Sequence, residues 1–127
     1  MSKALLPPIA VLLAILGFSV WNGRVMTAEA DRWQAQLYRA EAFAQESRWA
    51  DAAEALRSSY EDWSARQVYL HIVTEHEAVD DADAMYRRAM AFAAEQEASE
   101  FRAELADLRT QLRLLAEMER FSLKNVL

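Results

Sequence analysis

The sequence lacks cysteine altogether and contains only two glycines and two prolines. Without cysteine there are no disulfides, and no thiolates to act as nucleophiles or metal ligands. With so little glycine and proline, β-turns and glycine-rich phosphate loops have almost no residues from which to form. The composition therefore predicts an all-α protein. Because no catalytic motif is present either, we expect a protein that is not an enzyme and has no cofactor.

The chain also lacks an excess of positive charge. It carries 14 Lys and Arg against 20 Asp and Glu, which gives a formal net charge of −6. An acidic surface repels nucleic acid, so we expect no nucleic-acid partner. Charges of both signs are interspersed along the predicted helices, as on solvated helix faces.

An apolar run near the N-terminus, Ala4–Trp21, contains no charged residue. At helical rise it covers about 27 Å, close to the hydrocarbon thickness of a bilayer. We therefore predict a membrane anchor helix over residues 1–25, in contact with lipid, and a helical bundle over residues 26–127. If Lys3 stays inside, the protein is a single-pass cell-membrane protein with an extracytoplasmic C-terminal domain.

A cleavable secretory signal is the alternative interpretation of this run. Lys3 supplies a basic start, and Ala28-Glu29-Ala30 resembles a small-x-small cleavage site. That site, however, follows Arg24 rather than a short neutral stretch, and the apolar run is longer than a usual signal core. Both features favour an anchor that is retained.

Beyond the run, apolar residues recur at spacings of three and four, which is typical of helices that bury one face. Such spacing predicts four apolar faces: Met26, Ala30, Trp33, Leu37, Ala40 and Ala44; Trp49, Ala53, Leu56 and Tyr60; Ala82, Met85, Tyr86, Ala89 and Phe92; and Phe101, Leu105, Leu108, Leu112 and Leu115. Capping preferences predict helix starts at Ser47, at a capping box over 64–67, at Asp80 and at Ser99. The box opens a helix that carries Val68, Ile72 and Val73. Together these patterns predict a bundle of three to five helices.

Two of the predicted helices resemble each other and the helix pairs of tetratricopeptide repeats. The segments Trp49–Tyr60 and Ala82–Phe92 both combine alanines with a large aromatic residue. The glycine and closing proline of the full repeat are missing. We therefore expect tetratricopeptide-like hairpins within a small bundle rather than a true repeat domain.

Three short stretches resemble the family of the domain of unknown function 4363. They are Asp62-Trp63, His76-Glu77 followed by Asp80, and the ending Ser122-Leu123-Lys124-Asn125-Val126-Leu127. The resemblance covers nearly the whole chain. It implies a small bacterial protein with one N-terminal membrane helix and a helical remainder, and it implies no reaction.

The stretch 71–76 carries both histidines of the chain. His71 and His76 lie five residues apart, so their side chains point about 140° apart on a helix, unlike the i, i+4 pairs of zinc proteases. His76 with Asp80, and His71 with Glu75, are each at most a two-ligand fragment, whereas zinc needs three or four ligands. We expect local histidine–carboxylate contacts and no metal site.

Large aromatic residues suggest two interpretations. Trp49 and Trp63, together with Trp33, Tyr60 and Tyr69, are the residue types of a sugar-binding platform, and wall glycan would be a ligand outside a Gram-positive membrane. Each tryptophan also lies on an apolar helix face, where large aromatics anchor small cores. We expect burial in the core, with the platform as the alternative.

The C-terminal end is unusually apolar for a chain terminus. Phe121, Leu123, Val126 and Leu127 fall within the last seven residues. The chain's own bundle, the membrane interface or a partner would have to cover them. We hypothesise that this tail docks into an apolar groove of the bundle or of a partner. The stripe Phe101–Leu115 is predicted to be the central helix or, alternatively, a seam of a homo-oligomer.

The sequence favours a non-enzymatic accessory or scaffold protein for a membrane or envelope partner. The first alternative is an extracytoplasmic sensor or ligand-binding module with an aromatic-lined cleft. The second is a hydrolase that uses His76 and Asp80, which would need a third polar group close by.

Overall fold

A computed structural model describes the backbone of residues 2–67 and 76–126, and the side chains of 6–21, 24, 28–67 and 76–121. Within these ranges the regular structure consists of four α-helices and contains no strand. The helices are α1 Ser2–Gln45, α2 Trp49–Ser64, α3 His76–Ala94 and α4 Ala98–Val126. The all-α prediction is confirmed.

The four helices form a closed ring in which each helix packs against the next and α4 packs back against α1. Short turns over 46–48 and 95–97 join α1 to α2 and α3 to α4, so both turns lie at one end of the bundle, the distal end. The proximal end contains the C-terminus of α2 and the N-terminus of α3. There Arg66 Nε lies 3.0 Å from Glu29 Oε2. Closure of the ring distinguishes this bundle from the open stack of tetratricopeptide repeats.

The core is made by the apolar faces that the spacing predicts on α1, α3 and α4. Its largest fully buried side chains are Trp33, Trp63, Tyr86, Phe101, Leu37, Leu56, Leu105, Leu108, Leu112 and Leu115. Because the predicted stripe of α4 is covered within the chain, α4 is a core helix and those residues are not a free oligomer seam. Ala44 is partly buried, and Met26 lies outside the described side chains.

The predicted apolar face of α2 is wrong in part. Ala53 is exposed, and the buried positions are Ala52, Leu56, Ser59 and Trp63. The buried face is set by Leu56 and Trp63, and Ser59 lies between them on the same face, where its hydroxyl is hydrogen-bonded to that of Tyr86 at 2.8 Å.

The predicted helix starts at Ser47 and Ser99 are wrong because the turns are built from backbone hydrogen bonds. Ser47 has a φ of 59°, and the N–H of Arg48 donates to the carbonyl of Phe43 at 2.9 Å. This six-to-one hydrogen bond after a left-handed residue is a helix C-terminal motif. Arg48, with no side-chain capping bond, then precedes α2.

The second turn repeats the first. Gln96 has a φ of 55°, and the N–H of Glu97 donates to the carbonyl of Phe92 at 2.9 Å. Phe92 and Phe43 are each flanked by alanines in the sequence. The strongest internal similarity of the chain therefore lies at these two turns. Ser99 falls inside the first turn of α4, past the point at which it would cap the helix.

The start predicted at Asp80 is also wrong, and the helix predicted to open at the box over 64–67 cannot be followed beyond residue 67. Ser64 is the last residue of α2, and its buried hydroxyl has no partner among the described residues. Asp80 lies inside α3, which extends back to His76 because Ala78 and Val79 are buried against the bundle. The helix predicted over Val68, Ile72 and Val73 lies outside the described residues.

The first part of α1 extends beyond the bundle. The first buried residue of α1 is Ala30, although the helix begins at Ser2. In the part of the chain with described side chains, we find no helical stretch that is long and apolar enough to cross a membrane. The predicted run begins with Ala4 and Leu5, whose side chains lie outside that part. The transmembrane helix stays a prediction.

Candidate functional site

The largest exposed apolar surface of the described chain is the stretch 6–21 of α1, which we name the apolar segment. Its large side chains are between 41% and 65% exposed. They are Leu6, Ile9, Val11, Leu12, Leu13, Ile15, Leu16, Phe18, Val20 and Trp21. Neighbours such as Leu12 and Leu13 point in directions about 100° apart, so the segment is apolar on all sides. A helix that is apolar on every face is typically surrounded on every face by other apolar groups, either in a protein core or in lipid.

The structure separates the two tryptophans of the predicted aromatic platform. Trp49 begins α2 at the distal end and Trp63 lies one residue before the helix ends, so about 21 Å of helical rise separates them. Trp63 is fully buried, with its ring centroid 5.3 Å from that of Tyr86. Trp49 is partly buried, with its ring edge-on to Phe101 at 5.5 Å. The two side chains therefore share no common surface.

Two buried indole groups lack acceptors in the described part of the chain. The Nε1 atoms of Trp33 and Trp63 make no hydrogen bond there, although both side chains are buried. An unsatisfied buried donor costs about 1–3 kcal/mol, so these indoles contribute to stability through ring packing alone. The sequence suggested their burial and gave no signal for the missing acceptors.

His76 and Asp80 form the one histidine–carboxylate contact that can be described. His76 Nε2 lies 3.6 Å from Asp80 Oδ2, and the two side chains are 75% and 57% exposed. His71 and Glu75 lie outside the described residues. No group of three or more potential metal ligands occurs in the ranges with described side chains.

We predict that the purified full-length protein contains no stoichiometric zinc. An exposed two-ligand pair on one helix turn cannot complete the tetrahedral set that zinc requires. Elemental analysis after purification without chelators measures the zinc content directly. One zinc per chain, lost on His76→Ala and retained on the neighbouring Glu77→Ala, would overturn the prediction.

A network of polar side chains links α2 to α3 around Trp63. Tyr60 donates from its hydroxyl to Asp83 at 2.7 Å, and Arg87 Nε lies 2.8 Å from the other oxygen of that carboxylate. Burial raises the pKa of the Tyr86 phenol well above its usual range, and the hydrogen bond with Ser59 only partly opposes this. The hydrogen bonds of Ser59 with Tyr86 and of Tyr60 with Asp83 each join α2 to α3.

A second polar cluster links α1 to α4. Glu41 accepts from Arg109 at 3.0 Å and lies 3.2 Å from Arg102 Nε. The guanidinium of Arg109 also lies 4.3 Å from the ring centroid of Tyr38, in cation–π geometry. Glu41 and Arg109 are 14% and 13% exposed, so this ion pair is largely removed from water. The interspersed charges of the sequence did not reveal that one pair is buried.

Two surface grooves lie along α1. The larger, of about 290 Å³, is lined by Gln36, Arg39, Phe43, Asp51, Glu54, Ala55 and Ser58. The smaller, of about 150 Å³, lies at the distal end between α1 and α4. Neither of these two grooves is lined by a tryptophan, and each contains one aromatic residue, Phe43 in the larger and Phe101 in the smaller.

The predicted docking tail begins at the described side chain of Phe121, which is 65% exposed. Helix α4 continues through Val126, while the side chains of Leu123, Val126 and Leu127 lie outside those described. The groove that the tail was predicted to occupy is therefore not established, and the hypothesis stays a prediction.

Comparison with known protein families supports the resemblance seen in the sequence. The model of a family described as domain of unknown function (DUF4363) matches residues 20–126. The match covers the whole bundle and begins at the C-terminal edge of the apolar segment. Comparisons with curated proteins and with solved structures found no match.

Proposed function

We propose that this protein, which belongs to the DUF4363 family, is a membrane-anchored and non-enzymatic helical protein that serves as an accessory or scaffold for a membrane or envelope protein. In this proposal the apolar segment enters the bilayer and the bundle stands outside it. The observation that carries the proposal is the exposure of ten large apolar side chains on all sides of one helix.

The energetics of that surface favour insertion into lipid. On the membrane-insertion scale, a large apolar residue at the centre of a helix contributes about 0.3–0.6 kcal/mol, so ten of them contribute on the order of 3–6 kcal/mol. Elsewhere in the described chain the exposed large hydrophobics are single residues, Tyr38, Leu114 and Phe121. Trp21 ends the segment and Arg24 follows it, the order expected at a membrane–water interface.

Lys3 precedes the segment and Arg24 follows it, so the flanking basic residues do not set the orientation by themselves. In this proposal the end with Lys3 lies in the cytoplasm and the bundle lies on the extracytoplasmic side of the cell membrane. The distal end then lies farthest from the lipid. Its two turns carry three exposed glutamates, Glu46, Glu95 and Glu97. That end is the surface we assign to contact with a partner protein.

A ligand-binding or sensor module is the second candidate function. The buried indole donors of Trp33 and Trp63, which have no described acceptor, favour it because a polar ligand or water could satisfy them. Trp33→Phe and Trp63→Phe distinguish the candidates. If the protein is a sensor, ligand binding is lost when the two indole donors are removed. If it is a scaffold, partner binding is kept when both are removed.

Membrane anchoring predicts that two acidic substitutions in the segment, Leu13→Asp with Leu16→Asp, remove the full-length protein from the membrane. A charge at the centre of a membrane helix costs about 2.5–3.5 kcal/mol on insertion, so the pair should lower the membrane-bound fraction at least tenfold. Carbonate extraction of membranes, followed by immunoblotting, measures that fraction.

The matched control places the same two charges on the exposed face of α2, as Ala50→Asp with Ala53→Asp. The control and the wild-type chain should remain in the membrane pellet. Release of the wild-type chain by carbonate would refute the anchor. A partner is then sought by affinity purification of the tagged wild-type chain from native membranes and mass spectrometry, with the control variant required to recover the same protein.

A further inference from the structure

The register between α1 and α4 can be followed along both helices. Arg102 Nε lies 3.2 Å from Glu41 Oε1. Seven residues earlier on α1 and seven later on α4, Gln34 Nε2 donates to the carbonyl of Arg109 at 2.7 Å. The two helices are therefore antiparallel, and seven residues of α1 correspond to seven residues of α4 over these two turns.

Two further steps of seven residues, counted down α1 from Gln34 and up α4 from Arg109, bring Leu123 to the level of Val20. That level lies about 21 Å of helical rise beyond Gln34. Helices in bundles cross at about 20°, which changes this level little. Both helices continue that far, because α1 is unbroken from Ser2 and α4 extends through Val126. The C-terminal end of α4 thus reaches the level of Trp21 and the apolar segment.

The last turns of α4 carry apolar residues on two sides of the helix. The buried stripe of α4 reaches Leu115. From Leu115, the positions of Glu119, Leu123 and Val126 follow at spacings of four, four and three, so they continue the same stripe. Phe121 lies about 200° from Glu119, on the other side, and is 65% exposed. A groove on the bundle covers one side of a helix and would leave Phe121 in water, whereas lipid surrounds both sides.

We propose that the end of α4, from Phe121 onward, is a second membrane contact that enters the lipid interface beside α1. This inference rests on the proposed anchoring, because the apolar segment sets the membrane level. Arg120 lies in the same turn as Phe121, where a long basic side chain can reach the headgroups while the helix lies at the interface. Two contacts at one level restrain the tilt of the bundle on the membrane more than one helix does.

The absence of cysteine allows a direct test, because one introduced cysteine is the only label site. Phe121→Cys in the full chain is labelled with nitrobenzoxadiazole and reconstituted into phosphatidylcholine vesicles with doxyl-labelled lipid as quencher. Leu12→Cys reports the apolar segment, and the exposed Glu97→Cys reports the distal turn. We expect quenching at position 121 to be at least twofold that at position 97, and quenching at position 12 to be strong.

The possible outcomes separate the inference from the proposal on which it rests. Strong quenching at position 12, with position 121 no different from position 97, overturns the second contact and leaves the anchor standing. Absence of quenching at both 12 and 121 overturns both. Because Phe121 is exposed, its replacement should leave the helical circular dichroism unchanged, and that spectrum is recorded for all three variants.

Discussion

Replacement of Trp63 with alanine is expected to lower the free energy of unfolding by about 3–5 kcal/mol, the range measured for large aromatic residues in cores. Trp63 is fully buried at the junction of α2 and α3, with its ring centroid 5.3 Å from that of Tyr86 and 6.2 Å from that of Tyr60. Alanine would leave a cavity among rings that are fixed by their own hydrogen bonds. Denaturant unfolding of the full chain in mild detergent, followed by circular dichroism, measures the change.

Two variants control this experiment. Trp63→Phe keeps a ring in place and removes an indole N–H without a described acceptor, so its cost should be well below that of alanine. Trp49→Ala should cost about 1–3 kcal/mol, because Trp49 is only partly buried. Equal and negligible losses in both alanine variants would show that neither residue anchors the core.

Much of this core could be predicted from sequence because it depends on helical periodicity alone. The spacing from Phe101 to Leu115 predicted five residues that are all buried. The face of α2 was partly wrong because the prediction omitted Trp63, which with Ala52 and Leu56 defines the buried face. Apolar periodicity carries no signal for the buried hydroxyl of Ser59, which is hydrogen-bonded to Tyr86 on another helix.

The helix starts were wrong for a related reason. Serine and aspartate are preferred caps, yet the chain reverses through left-handed Ser47 and Gln96 and uses backbone hydrogen bonds instead. Glycine usually marks such positions, and this chain has almost none. The repeated alanine–phenylalanine–alanine before each turn was the available signal.

The candidate membrane site could be read from the apolar run, whereas the level of the α4 terminus could not. That level depends on the register between α1 and α4, which is fixed by contacts of Glu41 and Gln34 with residues far along the chain. The wide separation of Trp49 and Trp63, by contrast, could have been predicted from the sequence. The two residues lie at opposite ends of α2, and fourteen residues of helix cannot bring their rings together.

Removal of one carboxylate, by Glu41→Ala, is expected to lower the free energy of unfolding by about 1.5–3 kcal/mol. Its main partner, Arg109, is only 13% exposed, so the variant leaves a guanidinium with little access to water and without its counter-ion. The same change at Glu54 removes an ion pair of similar length, with Arg57, in which both side chains are more than half exposed.

An exposed pair contributes at most about 1 kcal/mol, so Glu54→Ala should be close to neutral. Residue type, partner type and substitution are the same in the two variants, which differ in burial and in that Glu41 contacts two arginines of another helix. Denaturant unfolding in 0.1 M and 1 M salt adds a second readout, since salt screens exposed charges and affects buried ones much less. Equal effects of the two substitutions, both reduced by salt, would show that the Glu41–Arg109 pair is a surface contact.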